Sequence, residues 1–119
     1  MLNDMERMLH NVGITPNFKG YAYILEAVDI LHEHPHKSME GLYKEIQHKY
    51  KVKTWQAVRN AIRYCVSRLQ VKSNREAFEK IFDIRLQEDT NIKNSVFLQL
   101  IAKNKDYQKI GSPHSKIKK

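Results

Sequence analysis

Residues 42–69 read LYKEIQHKY, then KVKT, then WQAVRNAIRYCVSRL. In the first piece Leu42, Tyr43, Ile46 and Tyr50 fall at helical spacing. In the third, Trp55, Val58, Ile62, Cys65, Val66 and Leu69 repeat it, the i, i+3, i+4, i+7 recurrence of a helix lying on a core. Thr54 is a natural N-cap, because its side-chain oxygen can accept from a first-turn amide. A short helix over about 42–50, a four-residue connection and a longer helix from Trp55 to about Leu69 have the spacing of a helix-turn-helix. In that motif the second helix enters the major groove, so its exposed side must be polar. Opposite the apolar stripe stand Gln56, Arg59, Asn60, Arg63 and Ser67. Arginine pairs bidentately with guanine and Asn or Gln with adenine, so Gln56, Arg59, Asn60 and Arg63 are expected to face bases. Lys51, Lys53, Thr54, Tyr64, Ser67, Arg68 and Lys72 are expected to face phosphate, which sets affinity rather than sequence.

The charge distribution points to the same segment. The chain carries 21 Lys and Arg against 13 Asp and Glu, a net +8. Residues 1–50 sum to −2, residues 73–102 to −1 and residues 103–119 to +5. The remaining +6 lies on residues 51–72, which hold Lys51, Lys53, Arg59, Arg63, Arg68 and Lys72 and no acid. A basic helix on a slightly acidic scaffold fits a polyanionic partner. The tail over 105–119, with its Gly111–Pro113 break, is expected to be disordered from about Tyr107 and to contribute solvated charge, with sequence-independent attraction to phosphate as the alternative.

Outward from this centre the pattern stays helical. Asn3 and Glu6 form a capping-box pair ahead of Met5, Leu9 and Val12, and Gly13 supplies a stop. Tyr21 to Glu33 carries Ile24, Leu25, Val28 and Leu31 on one face, and Pro35 ends that helix. Ser38 with Gly41 suggests a capped turn ahead of Leu42. Ser73 and Glu76 suggest a second capping box before Ala77, Phe78, Ile81 and Phe82. Asp83 to Thr90 reads as a loop, with a short extended piece at Ile84 to Leu86 left open. Asn94 or Ser95 is expected to cap a last helix through Val96, Phe97, Leu100 and Ile101. No segment alternates with period two, so the expectation is an all-α domain of six helices over residues 1–104.

Length and composition narrow the function classes. With 119 residues, 41% hydrophobic and 29% charged, the chain is expected to hold one globular domain. No apolar run approaches a membrane span and Met1 to Val12 lacks the apolar core of a signal peptide, so a cytoplasmic, nucleoid-associated protein is expected. Cys65 is the single cysteine and falls on the apolar face, which suits a buried small hydrophobe. His32, His34 and His36 lie at a helix end before and after Pro35, where their rings diverge, so no metal site is expected. Trp55 belongs to the core stripe, and Lys19, Gly20, Tyr21 and Tyr23 read as structural, with the glycine serving loop geometry. No nucleophile, base and orienter can be assembled, so neither an enzyme nor a cofactor is expected.

These residues also carry a resemblance. Val12-Gly13-Ile14, then Lys19-Gly20-Tyr21-Ala22-Tyr23-Ile24-Leu25-Glu26-Ala27-Val28, then Leu42-Tyr43-Lys44-Glu45-Ile46 with Lys49-Tyr50, then Val58-Arg59-Asn60-Ala61-Ile62-Arg63, and finally Asn94-Ser95-Val96-Phe97 occur in order. They resemble the C-terminal DNA-binding effector domain of the stage-zero sporulation transcription factor, the sporulation initiation factor A family of endospore-forming bacteria. The resemblance covers about Met5 to Asn104 and implies a six-helix fold with a helix-turn-helix that binds double-stranded DNA. It also implies a base-reading Glu-Arg pair where this chain has Arg59 and Asn60, while the next family arginine is kept as Arg63. A different target sequence is therefore expected. The connection between the two helices is one residue longer than the family's, and Thr15 then Pro16 displace its proline.

The family domain normally follows a receiver domain, and this chain starts almost directly on the first effector helix, so regulation without phosphorylation in cis is expected. The leading expectation is a sequence-specific transcription regulator. Its expected partners are duplex DNA, with RNA polymerase or a second copy on an adjacent site as further candidates, and neither a membrane nor a small-molecule substrate. The alternative is a receiver-less module that antagonises a full-length relative or polymerase by protein contact. RNA is less favoured, because no aromatic platform for stacked bases is evident.

Overall fold

Asn3 opens the first helix as the sequence predicts: its side chain accepts from the Glu6 amide at 2.8 Å while Glu6 Oε1 accepts from the Asn3 amide at 3.0 Å. The computed structural model describes residues 3–86 and 91–104. The expected basic tail lies outside the described residues. Helix α1 (Asp4–Asn11) ends on Gly13 with φ +85°, and the amides of Gly13 and Ile14 donate back to His10 and Leu9 carbonyls. This is a Schellman stop, and it turns Ile14 into the core beside Leu9 and Val12.

The other helices are α2 (Gly20–Glu33), α3 (Met39–Tyr50), α4 (Trp55–Val66), α5 (Lys72–Phe82) and α6 (Asn94–Lys103), with a 3₁₀ turn at Ser67–Gln70. Among the described residues there is no strand, and the fold is all-α. Helix α2 is central: Ile24, Ala27, Val28 and Leu31 are buried, and it packs on α3, α4 and α6. Phe78 of α5 and Phe97 of α6 stack with ring centroids 5.5 Å apart and close the core from the far side.

Four local expectations change. Ser38 caps a full helix rather than a turn, so α3 starts at Met39, ahead of its first apolar residue. The basic helix ends at Val66 and continues as the 3₁₀ turn, which carries Leu69 into the core with tighter geometry. Ser73 and Glu76 form no capping box: α5 begins one residue before Ser73, its N-cap Val71 supplies no side-chain acceptor, and Asn74 and Arg75 instead donate to the Arg68 and Gln70 carbonyls of the 3₁₀ turn. Asn94 and Ser95 do not cap α6 either, because both lie inside it and Asn94 turns inward. The register of α6 follows: Phe97, Leu98, Ile101 and Ala102 are buried, while Val96 is 47% exposed.

Candidate nucleic-acid interface

The connection between α3 and α4 is Lys51 to Thr54. Lys51 takes the left-handed conformation, φ 55°, so that the Val52 amide returns to the Gln47 carbonyl at 3.0 Å. A glycine is the usual residue there, since a Cβ is disfavoured at positive φ. The Gln47 side chain braces the turn through the Lys53 carbonyl at 3.2 Å. Thr54 then caps α4, its Oγ1 accepting from the Ala57 amide at 3.1 Å, which leaves its own proton free to donate outward.

Helix α4 buries Val58, Ile62, Cys65 and Val66. Trp55 is half-buried and lies parallel to the Tyr43 ring, centroids 6.0 Å apart. The opposite side presents Gln56, Arg59, Asn60, Arg63, Tyr64 and Ser67, all exposed. Tyr64 is 58% exposed and packs edge-on against Phe18 at 5.6 Å. The Ser67 hydroxyl donates to the Tyr64 carbonyl at 2.5 Å, so that proton is already engaged within the helix. Lys51, Lys53 and Lys72 are exposed at the two ends, while Arg68 is half-buried on the 3₁₀ turn and its Nε is buried without a partner.

Electrostatics separates this surface from its neighbours. Lys37, Lys44 and Lys49 around α3 each pair with a carboxylate, of Glu45, Glu40 and Glu26 respectively, at 2.7 to 2.8 Å. Among the described residues none of the six cations over 51–72 has such a partner. Among the described residues no carboxylate therefore offsets their positive potential.

The residues expected to face bases are not equivalent. Arg59 lies at the edge of the face, its guanidinium 5.4 Å from the Trp55 ring centroid. An open cleft of about 420 Å³ lies beside it, lined by Tyr43, Arg59, Asn60, Arg63, Asn94 and Ser95, with Met39 at one end. Asn94 is only 8% exposed. Its Nδ2 donates both to Tyr43 Oη at 3.1 Å and to the Arg59 carbonyl at 3.2 Å, which ties α6 to both helices of the pair. Burial raises the Tyr43 hydroxyl pKa above its ordinary value, against opposing effects of the Asn94 hydrogen bond and the Arg59 charge, so at neutral pH it keeps a proton to donate.

Tyr43, Asn94 and Ser95 were outside the expected site. Asn94 stands 35 and 51 residues from its partners, and no local pattern encodes such a contact.

The other flank of α4 is closed. A Cβ on Gly20 would lie 2.4 Å from the Ala61 carbonyl oxygen and 2.8 Å from Cys65 Sγ. Gly20 thus serves the approach of α2 to α4, not loop geometry, since it is the first residue of α2 and its φ is not positive. Its backbone also hydrogen-bonds Cys65, whose thiol is pushed up to about 11 by burial.

Among the described residues no three His, Cys, Asp or Glu side chains gather as metal ligands, and His32 Nδ1 lies 3.2 Å from the Ala102 carbonyl oxygen. No described helix is long and apolar enough to cross a membrane.

No curated protein and no solved structure matches the chain significantly. The profile of one family, described as sporulation initiation factor Spo0A C terminal, matches residues 5–104. That family is the DNA-binding effector domain of a transcription factor, and its domain binds double-stranded DNA. With the match spanning all six helices described above, the chain belongs to the family of the C-terminal domain of sporulation initiation factor Spo0A.

Proposed function

We propose that this chain is a sequence-specific duplex-binding transcription regulator that places α4 in the major groove. Gln56, Asn60 and Arg63 read base edges, with Arg59 at the border of that face, and Lys51, Lys53, Thr54 and Lys72 contact flanking phosphates. Arg68, Tyr64 and Ser67 contribute less: the first is half-buried, the second packs on Phe18 and the third has engaged its proton. The observation that carries the reading is the exposed, acid-free face of α4, whose cations have no carboxylate partner among the described residues. Arg59 and Asn60 stand where the family has its base-reading pair, and with Asn60 as the one of the two that reads a base the target sequence is the chain's own. The protein works in the cytoplasm on the nucleoid, without enzymatic activity.

Selection from a random duplex pool tests this. Enrichment of one sequence is expected, with log affinity falling against log salt at a slope of about −0.9 per phosphate neutralised. Asn60→Ala should relax the preference at one base pair, by about 1–3 kcal/mol. An unenriched pool with no salt slope would sink the reading.

A second reading has its own observation: Val96 and Leu100 border an outward-facing, mainly apolar hollow of about 330 Å³ on α6. It favours a protein contact there, with polymerase or a second copy on an adjacent site. Loss of regulation in Val96→Asp with duplex affinity intact would support it, and unchanged regulation would count against it.

A further inference from the structure

The cleft between α4 and the start of α6 has a consistent chemistry. One wall carries the guanidinium groups of Arg59 and Arg63 and the Asn60 carboxamide. The other carries Ser95 and the first turn of α6, whose N-cap Lys93 supplies no side-chain acceptor; the first amide bonded in the helical pattern is that of Phe97, to the Lys93 carbonyl at 3.0 Å. First-turn amides left without a cap are anion donors, and the helix dipole adds to their effect. Among the described residues no carboxylate lines the cleft. At its floor the Tyr43 hydroxyl accepts from Asn94 and keeps a proton to give.

Asn94 is the independent observation. It is 8% exposed, and its Oδ1 has no hydrogen-bond partner although its Nδ2 has two. Oδ1 is itself out of solvent contact, and an ordered water is the ordinary partner for such an acceptor. A phosphodiester brings no proton, so a water that donates to Oδ1 and to a phosphoryl oxygen completes the arrangement, as is common where proteins meet DNA. Arg63 also lines a second, smaller pocket of about 140 Å³ with Gln70, Asn91 and Ile92. A strand's backbone would pass along this flank of α4 while bases meet Gln56 and Asn60.

We propose that this cleft seats a phosphate, held by Arg59 and the first-turn amides of α6, with Asn94 as the positioning residue that joins its two walls. The DNA backbone is its source, an assignment that rests on the duplex-binding reading above. Arg59 then sets affinity, and sequence preference falls to Gln56, Asn60 and Arg63.

Two arms test this. In the first, a selected duplex is neutralised one phosphate at a time with methylphosphonate. One position is expected to cost the wild type about tenfold in affinity and Arg59→Ala almost nothing. Arg59→Ala should also lower the salt slope by about 0.9 while leaving base preference unchanged. Ser95→Glu should weaken all duplexes alike yet keep its melting temperature, because an acid in the first turn suits the helix dipole.

In the second arm, inorganic phosphate is titrated while backbone amides are followed by NMR. Shifts centred on Ser95 and Val96 in the wild type, absent in Arg59→Ala, are expected. Such shifts without coupling at any DNA phosphate would overturn the DNA assignment and leave a site for free phosphate or a phosphorylated small molecule. The same amide result in a protein that binds no duplex would separate failure of the duplex reading from failure of the site. Neither shifts nor coupling would overturn the proposal.

Discussion

Helix α4 is held in opposite ways on its two flanks. Toward α2 it is in hard contact, with Gly20 placed so that even a methyl group would collide with the Ala61 carbonyl oxygen. Toward α6 it stands off across a cleft of about 420 Å³, bridged by the Asn94 carboxamide. The closed flank fixes where the helix sits. The open flank fixes the side chains next to it while leaving room for a ligand. The cleft is open to solvent and carries both polar and apolar groups, so water or a polar ligand can occupy it.

The contrast can be broken at each flank. Gly20→Ala forces a Cβ into backbone at 2.4 Å, which cannot relax as a side chain would, and should destabilise by about 3 kcal/mol or more in urea unfolding. A loss below about 0.5 kcal/mol would mean that α2 and α4 are not in hard contact. Asn94→Ala removes two hydrogen bonds, those to the Tyr43 hydroxyl and to the Arg59 carbonyl, an expected loss of about 1–3 kcal/mol. Unlike Gly20→Ala, it should also weaken duplex binding under conditions where the variant is fully folded.

Cys65 reports on the closed flank through pH. Its thiol is held near 11 against an ordinary 9.0, so the folded state disfavours the thiolate. The stabilisation is complete below pH 9 and is lost as pH rises toward about 11. At pH 8 alkylation should therefore track global unfolding, and fast native-state labelling would show that the flank is open. The smallest effect is at the turn. Lys51→Gly relieves a left-handed lysine and should raise stability by up to about 1 kcal/mol, while removing one phosphate contact from the salt slope.

Which features could be read from the sequence follows from where their determinants lie. Helices α1, α3 and α4 start on Asn3, Ser38 and Thr54, whose side chains bond amides three residues on, so those starts are written locally. Helices α2, α5 and α6 start without a side-chain cap. Gly20 against α4, the 3₁₀ turn ahead of Val71, and Asn94 against α3 and α4 set them through the tertiary structure. Ser73 with Glu76, and Asn94 with Ser95, have the right letters for caps but lie inside their helices. The exposed face of α4 is legible because the five apolar positions Trp55, Val58, Ile62, Cys65 and Val66 define its opposite. The α6 wall of the cleft is not, because Asn94 meets Tyr43 across 51 residues.

Amide shift mapping on a selected duplex tests the central claim most directly. The account predicts perturbation concentrated on residues 51–67 and on Asn94 to Val96, with α1 and the buried face of α2 silent. Perturbation centred on α1 and α5, or spread evenly over the surface, would contradict it.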